Sequence, residues 1–262
     1  MSLKNGNHDL ILVCGVIPCI DNQVLLEELE NNLKQGVKIV LLSPIEDTKL
    51  ANNLSLYCKY EAGSEEGVIA LLTKCLASNL PEDLQEYFDD LDDGYLSAET
   101  NIGEDEIEEI SAFYEQAKNP LFIFGRDFLV HERSHNIEKL LHILKNYSRL
   151  ELLPLTDFTF NESYEIPEIV EELKSFDGTA IVVCKAKNDK ETKLLIGSPQ
   201  FSIAAKSSNN QDLHVNIGGG VILEKKFVID ENLKGTIALM PMLEEENSYR
   251  YKVAKITKRE VQ

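Results

Sequence analysis

The stretch 9–15, DLILVCG, determines the fold class of this chain. Five consecutive apolar residues lead into a glycine, a pattern typical of a β-strand that is buried on both faces. The next segment, VLLEELENNLKQG (24–36), carries leucines at helical spacing and ends in a helix-stopping glycine. A second buried run, VKIVLLS (37–43), follows it. A strand, a helix and a strand with short connections predict a parallel β-α-β crossover.

The same alternation of apolar runs and amphipathic segments continues to about residue 155. It predicts an α/β fold of the Rossmann-like type, in which a mainly parallel sheet carries helices on both faces and forms three layers. The further predicted strands are 54–60, 120–125 and 149–155, and the further predicted helices are 65–78, 107–118 and 136–147.

Residues 79–106 interrupt the alternation with a dense run of acidic side chains. The run has no sustained period, but it contains isolated apolar residues that can anchor it to a core. We interpret it as an irregular, partly helical excursion from the α/β domain. The expected anchors are Leu84, Tyr87, Phe88 and Leu91.

The sequence changes in texture after the last of these strands. A short helix at 167–175 and a buried strand at 179–185 are predicted to complete the α/β sheet, which gives a first domain of residues 1–185. Short β-like runs at regular spacing, divided by Asn, Gly and Asp clusters, then predict a β-rich module at 186–262.

Composition narrows the classes of function. The net charge of −19 disfavours nucleic acid as a partner, because a phosphate backbone would repel the chain. The five cysteines include no C-x-x-C pair, and Cys14, Cys58 and Cys184 lie within apolar runs. This usage favours a reducing compartment and argues against disulfides or a cysteine-ligated cluster within the chain. With no signal peptide and no apolar run of membrane-spanning length, we expect a cytoplasmic protein without direct membrane insertion.

One motif suggests a metal site. The stretch 131–135, HERSH, has the H-E-x-x-H spacing of zinc metalloproteases. No third ligand follows at the distance that a metzincin requires. If Ser134 caps the following helix, His135 and His142 project opposite to its apolar stripe, and His131 precedes it. We therefore interpret the motif as a solvated helix start and expect all three histidines to face solvent.

Two further motifs have structural explanations. Aligning DDLDDG (89–94) with an EF-hand loop puts Leu91 and Thr100 where calcium ligands are required, so we predict no calcium site. Gly218–Gly220 lies between β runs, where a flexible hairpin turn is favoured over a ligand-binding loop.

The sequence lacks the G-x-S-x-G elbow that holds the nucleophilic serine of α/β-hydrolases. We predict no catalytic, cofactor-binding or metal-binding residues in the chain.

The turn after the first strand occupies the place where α/β proteins bind phosphates. Gly15 is its one glycine, so the G-x-G-x-x-G fingerprint is absent. Asp21 stands at the expected N-cap of the following helix, where its carboxylate would satisfy the N–H groups that attract a phosphate. The next helix starts with Ser64, Glu65 and Glu66 and is likewise already supplied with acids.

Four segments, in this order, resemble the molybdopterin oxidoreductase family over most of residues 9–155. They read DLILVCGVIP-x-ID, KQGVKIVLLSP, KYEAGSEEGVIALLTKCL and AKNPLFIFG. The later stretch DLHVNIGGGVILEKKFVIDENLKGTIALMP resembles the small β-barrel module at the C-terminus of that family.

The sequence departs from the family at two turns. The turn at 15–18 reads G-V-I-P where the family has G-x-N-P, so Ile17 replaces a polar residue. The turn at 43–46 reads S-P-I-E where the family has Asp-Pro and a basic residue, whereas G-S-E at 63–65 matches the family's G-T-D turn. The resemblance implies that residues expected to hold the nucleotide part of a pterin cofactor are missing.

Within the family, the large iron–sulfur subunits of bacterial NADH:quinone oxidoreductase (complex I) keep the fold without molybdenum, and the chain resembles their C-terminal part. The resemblance implies a non-catalytic structural domain that supports electron transfer and contacts other peripheral-arm subunits at the cytoplasmic face of the inner membrane. It implies a fragment, with the iron–sulfur clusters upstream of it and MSL as an added start, and it disfavours bound molybdopterin. Two alternatives stay open, a fragment of a true molybdopterin-dependent oxidoreductase and a stand-alone binding domain.

Overall fold

The chain folds into two compact units, Met1–Ser175 and Phe176–Gln262. The computed structural model describes residues 7–160, 164–169, 172–173, 176, 179–243 and 248–258. The division between the units falls after Ser175, ahead of the predicted domain boundary at residue 185.

The first unit is built on a parallel sheet. Every pairing in it is parallel, and the strand order is β3-β2-β1-β4-β5. The strands are β1 (Leu10–Cys14), β2 (Lys38–Leu42), β3 (Leu56–Cys58), β4 (Pro120–Phe124) and β5 (Glu151–Pro154). The predicted α/β class is confirmed, and its apolar runs form the buried strands.

Helices cover both faces of this sheet. Along β1, Leu10, Leu12 and Cys14 belong to one core, while Ile11 and Val13 belong to another on the opposite face. This division follows from the alternation of side chains along a strand. The helices are α1 (Pro18–Asp21), α2 (Gln23–Lys34), α3 (Glu65–Leu76), α4 (Glu82–Asp89), α5 (Asp93–Thr100), α6 (Glu104–Gln116), α7 (Arg126–Leu129) and α8 (Ser134–Tyr147). Among the described residues, no helix has the length and apolarity needed to cross a membrane.

The acidic excursion is partly helical, as predicted. It contains α4 and α5 and ends where α6 begins. Its apolar side chains turn towards the core, which leaves the acidic side chains exposed or half-buried at the surface. The predicted anchors Leu84, Tyr87, Phe88 and Leu91 are all buried in the core that α3 and α8 share.

The second unit is a mixed sheet with strand order β11-β6-β10-β7-β9-β8-β12. Only Ala254 separates β11, which pairs with β6, from β12, which pairs with β8. The two ends of the strand order are thus one stretch of chain, and the sheet closes on itself. The elements are β6 (Ala180–Lys185), β7 (Leu194–Gly197), α9 (Pro199–Ala204), β8 (Asp212–Asn216), β9 (Ile222–Ile229), β10 (Ile237–Met242), β11 (Tyr251–Val253) and β12 (Lys255–Lys258).

The structure corrects the prediction for the strand at 179–185. As β6, this strand pairs with β10 and β11 in the second sheet instead of completing the first. Its residues Ile181 and Val183 lie in the core of the second unit. A strand that is buried on both faces looks the same in sequence whichever sheet receives it, so its pattern did not identify its partners.

The helix predicted at 167–175 is not found in the described part of that range. Residues 167–169 and 172–173 lie outside helices, and residues 170–171 and 174–175 lie outside the described residues. The backbone N–H and C=O of Glu168 both bond to the side chain of Asn136. These groups are therefore engaged by another element of the fold and not by helical neighbours.

Candidate functional site

The carboxyl edge of the first sheet is the candidate site. From β1 the chain builds β2 and β3 on one side and then returns to place β4 on the other side. In open α/β sheets, ligands bind in the crevice that forms at such a switch point, beyond the carboxyl ends of the strands. Here the crevice would lie between the loops that follow β1 and β4, which begin at Gly15 and Gly125.

These two loops pack directly against each other. The Gly125 N–H donates to the Cys14 carbonyl at 2.9 Å, and the Asp127 N–H donates to the Gly15 carbonyl at 3.2 Å. A Cβ atom on Gly125 would overlap the Gly15 carbonyl oxygen, and one on Gly15 would lie 3.1 Å from the Phe128 ring. The two loops therefore leave no room for a side chain at Gly125 and little room for one at Gly15.

Carboxylates of the chain itself bind the amides of the first turn. Asp21 Oδ2 accepts from the Ile17 N–H at 2.7 Å, and Asp47 Oδ2 accepts from the Cys19 N–H at 2.7 Å. Asp47 is fully buried. Its Oδ1 atom also accepts from the Lys49 N–H at 3.0 Å and the Leu50 N–H at 3.2 Å. Two N–H groups of the first turn, those of Ile17 and Cys19, are thus already bonded to carboxylates.

The predicted capping role of Asp21 is wrong by one residue. Asn22 caps α2, since its side chain accepts from the Leu25 N–H at 2.9 Å. Asp21 instead closes the single turn of α1 that precedes α2. The sequence did not show this extra turn, because a four-residue helix has no periodicity to detect.

The turn at 43–46 brings Asp47 over the first turn. Ser43 is buried, its Oγ accepts from the Ile45 N–H at 3.2 Å, and its carbonyl accepts from the Tyr57 hydroxyl at 3.1 Å. This turn was singled out in the sequence, but Asp47, which follows it directly, was not. A local signal existed, since an Asp two and three residues before exposed amides often bonds to them. Its bond to Cys19 is a contact between distant segments that no local pattern encodes.

The HERSH segment is structural, but not in the predicted way. Helix α8 begins at Ser134 with Arg133 as its N-cap, and His131 is buried. His131 Nδ1 accepts from the Arg133 N–H at 3.0 Å, so Nε2 carries the proton that faces the Gly63 carbonyl at 3.1 Å. The same Nε2 lies 3.5 Å from Glu65 Oε2. The expectation of a solvent-facing His131 is wrong, because a helical projection does not apply to a residue in the loop before the helix.

The other two histidines differ from each other. The side chain of His135 is 73% exposed, as predicted. His142 is only 6% exposed and its ring lies 6.5 Å from that of Phe160, so its predicted exposure is wrong. Burial lowers the pKa of His142. It lines a shallow open pocket whose walls include Phe158 and Phe160. These aromatic residues come from a segment after β5, which the projection of α8 alone could not include.

The acids at the start of α3 face the HERSH segment. Glu66 is buried, and its carboxylate accepts from Arg133 Nε at 3.1 Å and from the Asn136 amide. The hydrogen bond with Glu66 raises the pKa of the Arg133 guanidinium. The acids lie in the first turn of α3, but Ser64 makes no side-chain cap hydrogen bond there. The structure adds that they tie α3 to the start of α8.

The other sequence motifs have structural roles. Asp92 caps α5 by accepting from the Tyr95 N–H at 2.9 Å, and Asp93 pairs with Lys74 at 2.8 Å. Gly218–Gly220 forms the turn of the β8–β9 hairpin with three positive φ angles. In the described part of the chain, no group of three or more His, Cys, Asp or Glu side chains is placed to hold a metal ion.

None of the five cysteines forms a disulfide. Cys14, Cys58 and Cys184 are buried, as their apolar surroundings predict. Burial raises the pKa of both Cys19 and Cys58 to about 12. These thiols stay protonated at neutral pH and pack as small apolar side chains.

Comparisons with known proteins add little. No protein-family model matches the chain, and no curated protein matches it. Among solved structures it is similar to acetylene hydratase from Pelobacter acetylenicus, with 14% identity and a TM-score of 0.41. The likeness covers 53% of this chain and 21% of that chain, so this chain spans about a fifth of that protein's length. Because so weak a likeness does not identify a family or a function, the α/β class rests on the strand pairing alone.

Proposed function

We propose that the chain is a non-catalytic structural domain of the large iron–sulfur subunit of an NADH:quinone oxidoreductase. In this proposal the chain keeps the α/β scaffold of the molybdopterin oxidoreductases and has lost the cofactor site. One observation supports the loss of the cofactor site: the carboxylates of Asp21 and Asp47 accept hydrogen bonds from backbone N–H groups of the first turn. The sequence resemblance over residues 9–155 supports the choice of family.

A pterin dinucleotide does not fit the first turn. Its phosphates would need backbone N–H donors, but the Cys19 N–H is bonded to a buried carboxylate that two further N–H groups also hold. Freeing the Cys19 N–H for a phosphate would take one partner from a buried carboxylate, which is unfavourable. Keeping that carboxylate in place would set it against a phosphate at short range.

The proposed role is to support the electron-transfer path, not to take part in it. The iron–sulfur clusters would be bound upstream of this chain. The chain would contact other peripheral-arm subunits at the cytoplasmic face of the inner membrane. Five cysteines without a disulfide fit a reducing compartment.

Metal analysis of the parent protein tests the proposal. We expect iron without stoichiometric molybdenum, and we expect affinity purification through this chain to co-isolate NADH-oxidising activity. One molybdenum per chain, or stoichiometric pterin dinucleotide, would favour the alternative of a true molybdopterin-dependent oxidoreductase. Neither iron nor co-isolated redox activity would favour a stand-alone binding domain.

A further inference from the structure

A segment of the first unit covers His142 of helix α8. This cover segment consists of residues 155–160, which follow β5 directly and form neither a helix nor a strand. The ring of its Phe160 lies 6.5 Å from the imidazole ring, and its Phe158 lines the same shallow pocket as His142. At this contact His142 is only 6% exposed. A titratable side chain is thus enclosed between a helix and a stretch of irregular chain.

Aromatic packing holds the cover segment against the sheet. At its start, the Leu155 N–H donates to the Phe124 carbonyl at 3.0 Å. Further along, the rings of Phe158 and Phe160 pack edge-on against the Phe124 ring, with centroids 5.5 and 6.4 Å away. The other side chains of this stretch are exposed, namely Thr156, Asp157 and Thr159. The two rings that lie near His142 are therefore also the ones that keep the segment closed.

The buried imidazole suits the neutral form of histidine. Its Nε2 atom is buried and makes no hydrogen bond within the described part of the chain. A neutral ring tolerates this, since one of its nitrogens is an acceptor, whereas both nitrogens of a protonated ring are donors. A protonated His142 would therefore bury a charged N–H without a partner, which is strongly unfavourable. In keeping with this, burial lowers the pKa of His142, and the charge of Lys145 lowers it further.

The charged groups around His142 do not offer its proton a partner. Lys145 lies one turn further along α8 and repels a second positive charge. Glu165, which follows the cover segment, lies 3.5 Å from Lys139 Nζ and 3.9 Å from His135 Nε2, so its carboxylate faces other cations. No acid among the described residues bonds to the His142 ring. The charged and titratable groups that line the same pocket are His135, Glu138, Lys139 and Glu165.

We propose that His142 is an acid-sensitive switch that releases the cover segment. At neutral pH the uncharged imidazole packs beside Phe160, and the segment stays closed. When the ring takes up a proton from solvent, the charge is stable only in contact with water, so the closed packing gives way. Release uncovers the ring of Phe124, which is fully buried at the carboxyl end of β4. An apolar surface then opens immediately before Gly125, at the edge of the candidate site.

Limited proteolysis of the full chain tests this switch. Thermolysin cleaves beside large apolar residues, so opening of the cover segment exposes cleavage sites at Phe158 and Phe160. The rates are compared at about pH 7.5 and about pH 5, on either side of the ordinary histidine pKa of about 6.5. Dividing the ratio of the two rates by the same ratio for His142→Phe cancels the pH dependence of the protease. We expect the wild type to show an excess of about tenfold at the lower pH, because the open form binds the proton more tightly.

His135→Gln is the matched control, since it removes an exposed histidine from the same helix and should keep the wild-type excess. Mass spectrometry locates the first cuts, which should fall within residues 155–160. Equal ratios for the wild type and His142→Phe would overturn the proposal, and so would first cuts spread over β1 and β2, which indicate unfolding of the whole unit. If circular dichroism shows that His142→Phe is unfolded at neutral pH, His142→Gln replaces it as the uncharged reference. The same excess of the wild type is then expected, and its absence refutes the switch.

Discussion

Replacing Asp47 by alanine should destabilise the first unit by about 3 kcal/mol. The buried carboxylate accepts three backbone N–H bonds, from Cys19, Lys49 and Leu50. The short bond from Cys19 is charge-assisted, a class worth about 1.5–3 kcal/mol. The bonds from the Lys49 and Leu50 N–H groups resemble those of a helix N-cap, although here they hold the turn that follows Asp47; a cap of this kind is worth about 1 kcal/mol. Leu50 N–H keeps a second acceptor, the Asp47 carbonyl, so its loss is partial.

Urea unfolding at neutral pH measures this effect through the midpoint, provided that the slope is unchanged. Asp47→Asn should cost roughly half as much as alanine, because one oxygen remains while the new NH₂ group faces a donor. Thr48→Ala, at the exposed neighbouring position, is the matched control and should stay within about 0.5 kcal/mol of the wild type. An Asp47→Ala chain that also stays within that range would refute the view that this carboxylate organises the first turn.

Three further changes test other parts of the structure. Burial lowers the pKa of His142, so its imidazole binds a proton more tightly in the unfolded chain than in the folded one. The folded state should therefore lose stability as the pH drops below about 6.5, the ordinary pKa of histidine. In thermal unfolding, His142→Phe should lack this part of the pH dependence. Gly125→Ala should cost about 1–3 kcal/mol in urea unfolding, because its Cβ overlaps the Gly15 carbonyl, whereas Gly94→Ala should cost nothing. Glu66→Ala should cost about 2 kcal/mol by the same assay, since it removes the acceptor shared by Arg133 and Asn136, while Glu66→Gln should recover part of the loss.

The sheet of the first unit was predictable because its signals are local. Each strand at 9–15, 37–43 and 120–125 is an apolar run too short for a helix, and the helices between them carry their own periodicity. The anchors of the acidic excursion were predictable for the same reason. Local signals specify what an element is, but they do not specify which element it meets.

The missed features all depend on contacts between distant segments. Asp47 reaches Cys19 across two turns, His131 reaches Gly63, and Phe160 covers His142. The strand at 179–185 was assigned to the wrong sheet because its partner β10 follows it by more than fifty residues. Each of these contacts is fixed only when the chain is folded.

Closure of the second sheet has a consequence for how this unit assembles. Until residues 251–258 are in place, β6 and β8 each present a row of unpaired backbone donors and acceptors to other chains. A single late segment covers both rows at once, because β11 pairs with β6 and β12 pairs with β8. Nascent or truncated chains that lack this segment should therefore be the aggregating species, and a chaperone that shields both edges would act only until that strand is added.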